Sequence, residues 1–155
     1  ETDLCGSSRS LYQAISPCSR SPRKAVIYLS AEQVLFLHDR LIEETGGEHG
    51  VRDLGGLESA LARPQAAFGD TEFYPDIFTK AAVLMDSLTR NHAFIDGNKR
   101  ISISTAVLFL QLNGYRLTAT NPALEEFAIY VTTMKPSIDA IAGWFRTKTV
   151  RTKSR

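Results

Sequence analysis

Cysteine is scarce in this 155-residue chain, with only Cys5 and Cys18 present. Neither has a second Cys or a His at metal-ligand spacing, which argues against a disulfide scaffold or a zinc site. Long apolar runs are missing too. No stretch approaches the roughly 18 residues of a membrane span, and the first residues lack the continuous apolar centre of a secretory signal. The expectation is a cytoplasmic location with no membrane partner. The P-loop pattern ending in Gly-Lys-Ser/Thr is absent, as is a glycine-rich strand-to-helix fingerprint, so the standard nucleotide-binding folds are not encoded.

Net charge is nearly absent at +1, but it is unevenly spread. Residues 1–24 carry four basic and two acidic residues, and residues 147–155 carry four basic residues and none acidic. The segment between them holds 10 basic and 15 acidic residues, a poor composition for a surface that coats nucleic acid. No direct nucleic-acid partner is expected.

What is present is an ordinary globular composition, 43% hydrophobic and 23% charged, at the length of one domain. Half of residues 1–24 are Ser, Arg, Pro or Gly, without helical or alternating period. Residues 1–25 therefore read as a flexible extension, 26–147 as the folded domain and 148–155 as a basic tail. Ser30 with Gln33 three residues on forms a capping-box pattern. After it Val34, Leu37, Leu41 and Ile42 recur at helical spacing until Gly46-Gly47.

The glycine-rich stretch Gly46 to Gly56 predicts an exposed loop or small hairpin, followed by a helix over about Leu57 to Arg63 that Pro64 halts. Residues 76–89 and 99–112 are apolar nearly all round, the pattern of buried helices. A further helix is predicted from Asn121-Pro122, with Glu125 and Glu126 in its first turn, to about Met134. Ser137 caps a last one through Arg146. The fold class is all-α, a compact bundle of about six helices with at most a small flap hairpin near Gly46 to Gly56.

The chemistry concentrates in Asn91-His92-Ala93-Phe94-Ile95-Asp96-Gly97-Asn98-Lys99-Arg100-Ile101. Asn98 is a natural N-cap, after which backbone N–H groups lack intrahelical partners. Lys99 and Arg100 occupy that first turn although cations there cost up to about 1 kcal/mol each. Open amides, the close approach permitted by Gly97 and two cations together suit a polyanion such as phosphate. Asp96 repels a bare phosphate but suits Mg²⁺, which binds through one or two carboxylates plus phosphate oxygens. A histidine side chain can accept a proton at physiological pH, which makes His92 the candidate general base for an attacking hydroxyl. Taken singly, each of these residues has a plainer reading as turn, cap or solvated charge; their spacing favours a site. His38 and His49 read as surface histidines, and Arg52 and Asp53 as residues that close a turn.

The run His92-x-Phe94-x-Asp96-Gly97-Asn98-Lys99-Arg100 resembles the signature of the Fic/Doc family, and within it the death-on-curing branch. The likeness extends through Leu29 to Glu32, Gly50 to Pro64 and Phe109 to Tyr115. It implies a Fic/Doc-like helical fold with His92 as the catalytic base, Phe94 as a core anchor, Asp96 as the Mg²⁺ ligand, and Gly97, Asn98, Lys99 and Arg100 around the phosphates of ATP.

Lys99 where adenylylating relatives have Gly, and Ile103 where they have a second Arg, match the death-on-curing branch. That branch implies a toxin of a toxin–antitoxin system, a kinase that moves the γ-phosphoryl group of ATP to a Ser/Thr hydroxyl of elongation factor Tu and inhibits translation. It also implies a Phd-type antitoxin whose disordered segment folds onto the toxin, with the Gly46 to Gly56 loop as a place where a target peptide adds as a strand. The in-chain inhibitory pattern of some relatives is absent, since no Glu is followed by Gly or Asn. Gly97 departs from the death-on-curing pattern, which has Ala there, and agrees with the adenylylating one, so AMP transfer is the alternative. A catalytically silent antitoxin-binding module is the alternative of another class.

Overall fold

Ser30 opens the first helix as its sequence requires: its side chain accepts from the Gln33 amide and the Gln33 side chain accepts from the Ser30 amide. The computed structural model describes residues 25–152. Cys5, Cys18 and most of the extension expected over residues 1–25 lie outside them. Helix α1 spans Ala31–Thr45, α2 Leu54–Ala62, α3 Ile77–Asn91, α4 Asn98–Leu112, α5 Asn121–Met134 and α6 Ile138–Thr147. A 3₁₀ turn at Arg63–Gln65 follows α2. The all-α class with six helices stands, and among the described residues no helix is long and apolar enough to cross a membrane.

Helix α3 is the axis. Every residue from Lys80 to Thr89 is buried, and α4 and α6 pack along it most extensively, with α2 beside them. Burying side chains such as Phe109, Phe145, Leu57 and Ile101 contributes about 1.5 to 3 kcal/mol each. Between α5 and α6, Trp144 stacks on Phe127 with ring centroids 3.8 Å apart, and Phe145 meets both edge-on. Helix α4 is less enclosed than its sequence suggests. Ile101, Ala106, Phe109 and Leu110 are buried, but Ile103, Val107 and Leu108 are only half-buried and line a groove of about 260 Å³ with Leu37 and Leu124.

Four local expectations are corrected. Helix α2 begins at Leu54, not Leu57, because the Asp53 carboxylate accepts from the Gly56 amide and caps a turn containing Gly55 and Gly56. The small hairpin lies at Ala67–Phe68 (β1) and Thr71–Glu72 (β2), not within Gly46 to Gly56. Helix α5 opens at Asn121 as expected, but with Thr120 as its cap Glu125 and Glu126 fall beyond its first turn. The tail expected from Lys148 is partly structured: Tyr115–Leu117 (β3) pairs antiparallel with Thr149–Arg151 (β4), Arg116 opposite Val150.

Candidate active site

Helix α3 delivers Asn91 and then stops, because His92 takes the left-handed backbone conformation, φ 45° and ψ 53°. A side-chain-bearing residue pays about 1 to 2 kcal/mol there. The segment Gly50 to Asp53 supplies the restraint. The amides of Arg52 and Asp53 both donate to the Ala93 carbonyl at 2.8 and 3.0 Å, and the Ile95 amide donates to the Gly50 carbonyl at 3.1 Å. Val51 and Phe94 form an antiparallel bridge. The Arg52 guanidinium donates twice to the His92 carbonyl, from Nε at 3.1 Å and from Nη2 at 2.6 Å. The His92 side chain is left exposed at the surface.

Beyond His92 the chain dives into the core. Ala93 and Phe94 are buried, and the Phe94 ring is covered face-on by the imidazole of His38, 3.9 Å between centroids. The same imidazole donates from Nε2 to the Asp96 carbonyl at 2.7 Å. His38 is therefore a buried support of this loop rather than a surface histidine. Its signal was legible: Val34, His38 and Ile42 are four residues apart and all face inward.

The loop returns to the surface at Asp96. Its Oδ1 accepts from the Gly97 amide at 2.7 Å and its Oδ2 from the Glu48 amide at 3.1 Å, while Arg100 Nη2 lies 3.7 Å from Oδ1. The Glu48 amide, then the Gly97 amide, then the nearby Arg100 charge hold this carboxyl below its ordinary pKa, so it is an anion at neutral pH. Gly97, at φ 77°, is the residue that caps α4.

Asn98 is not the cap. Its side chain clasps Phe94, accepting from the Phe94 amide at 3.0 Å and donating to the Phe94 carbonyl at 2.8 Å. The Asn98 side chain is thus held against the loop by both its oxygen and its nitrogen. No side chain caps α4, so its first amides keep their donors directed outward.

Lys99 is exposed on this first turn. Arg100 reaches the other way, with Nη1 donating to the Gly46 carbonyl at 2.8 Å and to Thr45 Oγ1 at the end of α1. A cation there complements the negative helix terminus. The structure thus joins Asp96 to Arg100 and places His92 and Lys99 at the two ends of a single braced loop. Arg52, His38 and the Glu48 amide complete it. None was singled out for this from sequence, since their contacts span 40 to 58 positions.

An Mg²⁺ ion bound with nucleotide needs little from the protein, one or two carboxylates, since phosphate and water supply the remaining oxygens. Asp96 offers an ionised carboxylate with lone pairs beyond the two amide bonds. Among the described residues no three His, Cys, Asp or Glu side chains cluster to form a metal cage. The residues present fit a nucleotide-borne magnesium ion and not a resident all-protein site.

The sequence profile of the Fic/DOC family matches residues 28–110. The chain is similar to Toxin Doc of Mycolicibacterium smegmatis, 44% identical over 117 residues that cover 74% of this chain and 88% of that protein. It is also similar to Protein kinase doc of Escherichia phage P1, 32% identical over 119 residues that cover 77% of this chain and 93% of the phage protein.

Proposed function

The chain belongs to the Fic/DOC family, and from that premise we propose that it is the toxin of a toxin–antitoxin pair, acting as an ATP- and Mg²⁺-dependent protein kinase. Its substrate is a Ser or Thr hydroxyl of elongation factor Tu, its site of action the cytoplasm, and its restraint a Phd-type antitoxin. The names of the two relatives, one a toxin and one a protein kinase, support this reading. The observation that carries it is the start of α4: a glycine-capped turn with open amides and the exposed Lys99, joined to His92 by a single braced loop.

In this reading the amides of Asn98, Lys99 and Arg100, with the exposed Lys99 side chain, hold the phosphates of ATP, and the Arg100 side chain joins them only by leaving the Gly46 carbonyl and Thr45. Asp96 would hold Mg²⁺, which when bound neutralises charge on the phosphate oxygens. His92 takes the proton of the substrate hydroxyl as its oxygen attacks the γ-phosphorus in line. The bond from that phosphorus to the bridging oxygen breaks, and ADP leaves with the electron pair. Preorganisation is the contribution of the fold, because positioning and charge stabilisation make up most of phosphoryl-transfer catalysis.

A second reading, transfer of AMP, draws on Gly97, whose left-handed backbone is the conformation glycine adopts freely. ATP labelled at the γ- or the α-phosphate separates the two when incubated with Mg²⁺, this protein and elongation factor Tu. Label retained on the factor from γ-ATP supports the kinase. Label retained from α-ATP supports adenylyl transfer, and retention of neither sinks both.

A further inference from the structure

His92 stands where helices commonly end on glycine or asparagine, and its left-handed backbone would relax unless its surroundings over-determined it. Two successive carbonyls at this corner are held by one segment. The Ala93 carbonyl takes the amides of Arg52 and Asp53, and the His92 carbonyl takes two N–H groups of the Arg52 guanidinium. Because the guanidinium is a rigid planar fork, two donors on one oxygen fix a direction as well as a distance. Its charge also lies at the negative end of α3, where a cation is favoured. The side chains of both Arg52 and His92 are exposed, so burial does not account for the pairing.

We propose that Arg52 is a positioning residue: it holds the His92 backbone in the conformation that presents the imidazole to the acceptor hydroxyl, and it does not itself contact the phosphates. This rests on the reading of His92 as the base. A misplacement of about 1 Å at a reacting group costs on the order of a hundredfold in rate, which sets the size of the effect.

The test uses the full chain with Arg52→Gln, Arg52→Lys and Arg52→Ala, assayed with γ-labelled ATP, Mg²⁺ and elongation factor Tu. In parallel, ¹H–¹⁵N spectra follow the His92 backbone and ring. Arg52→Gln is expected to lower kcat about 10- to 100-fold, with the KM for ATP within about twofold. Its His92 resonances should move while those of Lys99 and Arg100 stay in place. Arg52→Lys, which keeps a cation but loses the fork, should fall between, and millimolar guanidinium should restore part of the rate of Arg52→Ala. An unchanged kcat with unmoved His92 resonances overturns the proposal. So does an ATP KM that rises in step with the fall in kcat, which would make Arg52 a phosphate ligand. Should the native protein transfer no label, the kinase reading falls, while the spectra still decide whether Arg52 holds His92.

Discussion

The imidazole of His38 lies parallel to the ring of Phe94, 13° between planes and 3.9 Å between centroids, while its Nε2–H binds the Asp96 carbonyl two residues further on. One buried side chain of α1 thus fixes both the inward and the outward halves of the motif loop. His38→Leu keeps the packing and strands a carbonyl, at a cost of about 1 to 3 kcal/mol. His38→Ala also opens a cavity beneath Phe94 and should cost about 2 to 5 kcal/mol. Urea melts of the two variants check the order; equal losses would mean that the volume filled against Phe94 contributes nothing.

The carboxyl of Asp96 has its pKa lowered on folding, chiefly by the Glu48 amide and next by that of Gly97. A depressed carboxyl contributes stability that is fully present above its unfolded pKa and is lost as pH falls through the folded value. The tie between Glu48 and Asp96 should therefore hold at neutral pH and release only below the usual carboxylate range. The Glu48 amide shift, followed by NMR from pH about 6 down to about 2, should titrate with a midpoint below that range. A midpoint at or above it contradicts the tie.

Gly47 runs so close to the motif that a Cβ there would collide with Asp96 Oδ2 and lie 3.1 Å from Arg100 Nη2, at φ 118°. Gly46, φ 88°, has nothing within 4 Å of its Cβ position. Gly46→Ala pays backbone strain alone, about 1 kcal/mol, whereas Gly47→Ala must also push the Glu48 amide off Asp96. Melting temperatures should rank wild type above Gly46→Ala above Gly47→Ala. The Asp96 carboxyl should move back toward its ordinary pKa in Gly47→Ala only.

His92→Ala removes the proposed base without touching the start of α4, so transfer of label should be lost while nucleotide binding, read by calorimetry, persists. Because alanine also accepts a left-handed backbone poorly, His92→Asn supplies the control: it suits that conformation but is no base. Toxicity that survives in both variants would favour the catalytically silent module.

How far the sequence could be read depended on contact range. The capping box of Ser30 and Gln33, the stop at Gly46-Gly47 and the apolar faces of α3 are local, and they appear where their patterns place them. Asn98 misled because an asparagine before a helix ordinarily caps it, whereas here its side chain is drawn back to Phe94 and glycine does the capping. Gly55 and Gly56 read as loop because their intrinsic preference outweighs everything except the Asp53 cap and the packing of Leu57. Arg52 on the His92 carbonyl and β4 on β3 are tertiary pairings, and no periodicity encodes them.

Lys80 presents the sharpest energetic question outside the site. Its side chain is 1% exposed, yet Nζ donates to the Pro64 carbonyl at 3.0 Å and to Glu72 Oε1 at 2.8 Å, with the Tyr28 ring 5.6 Å away. Burial alone would lower its pKa, but the Glu72 hydrogen bond and then Tyr28 outweigh burial and raise it. Glu72 is half-exposed, so water screens part of the pair. Glu72→Gln leaves the buried ammonium short of its anion and should cost about 1 to 3 kcal/mol. Lys80→Met fills a similar volume, needs no partner, and should stay within about 1.5 kcal/mol of wild type. A group whose folded pKa is raised contributes stability below its unfolded pKa and loses it as pH rises through the folded value. Wild type should therefore lose stability above roughly pH 10.5 in a step that Lys80→Met lacks. Urea midpoints at neutral and alkaline pH read this directly. A Lys80→Met protein far less stable than Glu72→Gln would mean that the cation, not the space it fills, holds the hairpin against α3.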